Sequence, residues 1–91
     1  MNMYRSIGTV VRLYQAPEVL FMVVGILAEN ENGERRDYVA LRYPVGALGD
    51  TVYFFFNEEE IQEVVHEGYV NEDHQAYNDL LRVVVEQNRV Q

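Results

Sequence analysis

A chain of 91 residues with 15 acidic and 7 basic side chains carries a formal charge of −8. That length suits one domain spanning 1–91 with a modest core, and that sign argues against nucleic acid or an anionic membrane surface, which both need clustered cations. The absence of cysteine removes disulfides and thiolate chemistry, and the absence of lysine removes a P-loop and Schiff-base catalysis.

Residues up to 56 read as strands and the rest as helices. A first strand is predicted over 7–14, before Pro17, and a second over 19–28. Asn32-Gly33 follows, a dipeptide that tolerates positive φ at both positions and so suits a two-residue type I′ turn. The third strand covers 35–43 and ends at Pro44, which cannot donate to a ladder. With Asn32 and Gly33 as the turn, Ile26 faces Val39, Val24 faces Leu41, Met22 faces Tyr43 and Glu29 faces Arg36. The apolar residues of these pairs then share one face, the predicted core face.

An aromatic fourth strand, 51–56, closes the sheet region 7–56. Asn57 then reads as a helix N-cap, with Glu60 three residues on as in a capping box. Ile61, Val64 and Val65 share a helical face, so a helix is predicted over 58–67 and stopped by Gly68 in a left-handed conformation. A second helix over 71–88 starts from Asn71 and carries the stripe Tyr77, Leu80, Leu81 and Val84. The β-branched run Val83, Val84, Val85 leaves a short final strand as the alternative ending. The expected fold class is α+β: a small antiparallel sheet of four to five strands, curled towards an SH3-like barrel, followed by two carboxy-terminal helices.

No catalytic constellation is visible. Glu58, Glu59 and Glu60 are consecutive, so on a helix they diverge and serve the dipole better than a metal. His66 and His74 lack the three or four convergent ligands of a zinc site, and no nucleophile elbow surrounds Ser6, Thr9 or Thr51. The tyrosines and phenylalanines could stack bases, but too few cations accompany them. No cofactor and no enzymatic activity are expected. The longest apolar run is too short to span a bilayer, and Met1-Asn2-Met3-Tyr4-Arg5 lacks the form of a signal peptide, so a cytoplasmic location is expected.

The second sheet face is only partly polar. Phe21, Val23, Leu27, Tyr38 and Ala40 would line it, covered either by a helix or the curled sheet of the same chain or by a partner. Phe21, Val23, Leu27 and Tyr38 are the candidate partner contacts.

At Asp37-Tyr38-Val39-Ala40-Leu41-Arg42-Tyr43-Pro44-Val45-Gly46 the chain resembles a Gram-positive family, domain of unknown function 4176. The likeness continues through Gly8, Val10 and Val11, through Met22-Val23-Val24-Gly25, through Phe55-Phe56-Asn57, and through Ile61, Val64 and Gly68-Tyr69. It runs over about 7–81, with Val45 in place of the family's usual glutamate and Glu60 in place of an aspartate. The resemblance implies a small cytoplasmic accessory protein or chaperone that binds an LXG-type toxin of the type VIIb secretion system before export. An immunity protein that neutralises a toxin domain, and a homodimeric structural or ligand-binding domain, are the alternatives.

Overall fold

β-branched and aromatic residues favour a pleated, half-buried surface, and the first two thirds of the chain is built from them. The computed structural model describes residues 3–90, with side chains to residue 87; Met1, Asn2 and Gln91, the ends of the predicted domain, lie outside them. In chain order the elements are β1 (Val10–Leu13), β2 (Ala16–Glu29), β3 (Arg35–Tyr43), β4 (Phe54–Phe56), a 3₁₀ turn (Glu58–Glu60), β5 (Ile61–His66) and α1 (Glu72–Val90). The strands form one antiparallel sheet in the order β4-β3-β2-β1-β5.

The sheet is open, not closed as a barrel. β4 and β5 lie at opposite edges and do not pair with each other.

The β2–β3 register differs from the type I′ expectation. Asn30, not Asn32-Gly33 alone, organises the turn: its Oδ1 accepts from the amides of Asn32 and Glu34, both at 3.0 Å. Gly33 still supplies the positive φ, at 76°. This longer loop leaves Glu29 facing Arg35. A bulge between Val23 and Gly25 shifts the pairing again, so Met22 faces Leu41 and Val23 faces Ala40. A bulge inserts one unpaired residue and breaks the alternation of faces. Ile26 therefore joins Phe21 and Val23 in the core, while Met22 and Leu41 do not.

The core is a cluster of Val11, Leu13, Phe21, Val23, Ile26, Tyr38, Ala40, Phe56 and Leu81. The ring of Phe21 meets Phe54 at 5.1 Å and 62°, an edge-on contact favourable beyond its area burial.

The predicted helix over 58–67 is a correction. Only one 3₁₀ turn forms there. The capping box is present, with the Asn57 amide donating to Glu60 Oε2 at 2.6 Å. It starts a turn that β-branched residues do not continue. Ile61 and Val64 instead pair with Leu13 and Val11 and extend the sheet. Gly68 ends no helix and has no positive φ. A Cβ there would lie 2.2 Å from the Ile7 carbonyl oxygen and 2.9 Å from the Gly8 carbonyl carbon. Glycine is required because two backbone segments touch.

The single helix α1 begins as predicted: Asn71 Oδ1 accepts from the His74 amide at 3.1 Å, and Glu72 and Asp73 fill the first turn. Its docked line is His74, Asn78, Leu81 and Val85, the less exposed positions on the helix, not the predicted stripe. Tyr77, Leu80 and Val84 of that stripe are exposed. Residues 83–85 are helical, so the alternative final strand is not formed.

Candidate functional site

Three of the four predicted partner contacts are interior. Phe21 is 4 % exposed, and Val23 and Tyr38 are fully buried. Leu27 is half-buried and packs against the same core. This face is the covered one, with α1 reaching it through Leu81.

The uncovered face is the opposite one, which the sequence had suggested as the core. Alternation on either side of the bulge places Leu20 and Met22 of β2, and Val39, Leu41 and Tyr43 of β3, on this side. Val10 of β1 joins them opposite Met22, and Phe55 of β4 opposite Val39. Val10 and Leu41 are each only 8 % exposed yet belong to no part of the core cluster. Tyr43 and Val65 are half exposed. Val10, Leu20, Met22, Tyr43, Val65 and His66 line an open apolar groove of about 510 Å³. Gly25 lies under Val39, whose Cγ1 would be 2.5 Å from any added Cβ, so a valine closes over the bulge.

Acidic residues flank this face. Glu29 and Glu31 share a cleft with Phe55. Glu18 neighbours Leu20 by alternation and is exposed. Arg12 reaches Glu63 at 3.3 Å and the Pro17 carbonyl at 2.9 Å, so its charge is offset locally.

A second cleft, about 190 Å³, contains Arg5, Ser6, Thr9, Glu67 and His74. Its polar groups satisfy one another. Ser6 Oγ is 3.1 Å from Thr9 Oγ1, which also accepts the Gly68 amide at 3.1 Å. The Tyr4 amide donates to Asn78 Oδ1 at 2.6 Å, and Asn78 donates to the His74 carbonyl at 3.1 Å. Asn78 Nδ2 also lies 3.0 Å from the His74 ring Nε2, so Ser6 and His74 have other partners than each other and form no nucleophile–base pair. Beside this cleft the Tyr38 hydroxyl accepts from the Arg5 amide at 2.9 Å and donates to Glu58 Oε1 at 2.7 Å, while Arg5 Nη2 holds Glu58 Oε2 at 2.9 Å. Burial pushes the Tyr38 hydroxyl far above its ordinary range, and the Glu58 carboxylate adds to this. The hydrogen bond to Glu58 raises the Arg5 guanidinium. These groups tie the amino-terminal strap to the sheet and the 3₁₀ turn. Among the described residues no three acidic or histidine side chains form a metal site, and no helix is long and apolar enough to cross a membrane.

The sequence pattern of domain of unknown function (DUF4176) matches residues 4–77. The chain belongs to this family. The DUF4176 match takes in the strap, the whole sheet and the start of α1. No curated protein and no solved structure matches the chain.

Sequence reasoning missed Val10, Leu20, Phe55 and Val65 as members of the open face. A signal for it was present: consecutive Phe54, Phe55 and Phe56 must place aromatics on both sides of one strand.

Proposed function

We propose that this protein is a non-enzymatic protein-binding accessory factor, and that its client is an LXG-type toxin of the type VIIb secretion system, held in the cytoplasm before export. One observation carries the binding role: an open apolar groove lined by Leu20, Met22, Tyr43 and Val65, with Tyr43 and Val65 half exposed, on a chain of charge −8. A contiguous apolar patch ringed by acid is what a soluble binder presents. The polar cleft supports the non-enzymatic half, because its hydroxyls and imidazole are held by neighbouring side chains. The family resemblance supports a toxin as the proposed client. Affinity purification from the native host with mass spectrometry tests it. An LXG-type toxin should be recovered and map to its non-toxic region. Recovery through the toxic domain would indicate an immunity protein, and recovery of no toxin would overturn the client.

A further inference from the structure

We infer that the open sheet face takes one amphipathic α-helix whose polar side is basic. This rests on the protein-binding reading above and names the chemistry of the occupant. Three observations select it.

The first is shape. The apolar residues run from Phe55 on β4 across every strand to Val65 on β5. Four inter-strand gaps of about 4.8 Å make a span of about 19 Å, which a helix rising about 1.5 Å per residue covers in about 13 residues. The second is backbone bonding. A peptide lying on a sheet face finds no ladder partners there, because strand amides and carbonyls point sideways to neighbouring strands. A helix satisfies its own backbone and can be desolvated without loss. The third is charge. Glu18, Glu29 and Glu31 flank the face, and the local Arg12 is engaged by Glu63. A second copy would bring another −8 to the same face, and α1 carries Glu72, Asp73, Asp79 and Glu86 against Arg82 and Arg89. Like charge opposes both self-docking and an anionic bilayer, whereas lysines or arginines flanking an apolar stripe meet carboxylates around an apolar floor.

The probe is a fluorescent 14-residue peptide of leucines at helical i, i+3, i+4 spacing with lysines elsewhere, alongside its twin with glutamate for each lysine. Titration of the full chain should give saturable binding of the lysine peptide and at least tenfold weaker binding of the glutamate twin. Amide shifts should concentrate on Leu20, Met22, Leu41 and Tyr43. Met22→Asp, and the exposed Tyr43→Asp should the first fail to fold, should weaken the lysine peptide at least tenfold, while Leu80→Asp on α1 should not. An added carboxylate would strengthen a purely electrostatic contact, so that direction overturns the inference. Shifts on α1, equal binding of the two peptides, or a dimer of the unliganded protein abolished by Met22→Asp would also overturn it. The two readings fail separately. A toxin that binds Met22→Asp and Tyr43→Asp undiminished removes this face and leaves the accessory role. Peptide binding with no toxin recovered leaves the face and removes the client.

Discussion

Tyr38→Phe separates a structural tyrosine from a partner contact. Phenylalanine keeps the buried ring and its neighbours, Phe56 at 5.7 Å and Tyr4 at 6.1 Å. It deletes the hydroxyl that makes the 2.7 Å donation to Glu58 and the 2.9 Å acceptance from the Arg5 amide. A hydrogen bond to a charged group contributes about 1.5–3 kcal/mol, and the stranded Arg5 amide adds about 1 kcal/mol where water reaches it poorly. The expected loss is therefore about 2–4 kcal/mol. For a chain of this size that lowers Tm by roughly 10–20 °C, at about 5 °C per kcal/mol. Urea denaturation followed by circular dichroism reads it directly, with an unchanged m-value. Glu58→Gln and the double variant complete a cycle, and a coupling of at least about 0.5 kcal/mol is expected for groups in direct contact. A loss below about 0.5 kcal/mol, the level of an ordinary surface change, would refute the bonding assigned to this hydroxyl. Partner or peptide binding by the folded variant should be unchanged.

Three other outcomes follow from the same geometry. Gly68→Ala forces a Cβ to within 2.2 Å of the Ile7 carbonyl oxygen, so thermal unfolding should show a loss of about 3 kcal/mol or more, since backbone on both sides must separate. Asn71→Ala removes the acceptor for the His74 amide and should cost about 1 kcal/mol in the same assay. The Tyr38 hydroxyl has a folded pKa raised above its unfolded value, chiefly by burial. Its contribution is fully present below about pH 10, the unfolded value, and is lost as pH rises towards the folded one. Stability measured above pH 10 should thus fall more steeply in the parent chain than in Tyr38→Phe.

Much of the fold could be read from residues that act locally. β3 has its predicted limits, Arg35–Tyr43, because a β-rich run ends at proline. The Asn71 cap could be read because a side chain and an amide three residues on decide it. The failures came where tertiary pairing outweighed a local signal. Asn57 and Glu60 do form their box, but the unpaired edge of β1 offered Ile61 and Val64 a ladder that a short helix could not match. Gly68 was read as a stop when a close backbone contact with Ile7 required it.

Part of the open face was legible as residues sharing one side, but that side was read as the core and the candidate contacts were placed on the other. Met22, Val39, Leu41 and Tyr43 were correctly placed on one apolar face. Alternation assumes an unbroken ladder, and the bulge before Gly25 transfers Ile26 to the other side. Phe21, Val23 and Tyr38 then became part of the buried cluster that Leu81 of α1 joins. No local rule announces such a bulge, although Gly25 within an apolar run is the kind of residue that accompanies one.

We propose that the Met22 face, and not the α1 stripe, meets the partner. Quantitative co-purification from the native host, with Met22→Asp, Tyr43→Asp and Leu80→Asp run beside the parent chain at matched expression and verified fold, tests it most directly. Recovery of the toxin should fall at least tenfold with the two sheet variants and stay near the parent level with Leu80→Asp. Full recovery with both sheet variants, or loss confined to Leu80→Asp, would contradict it.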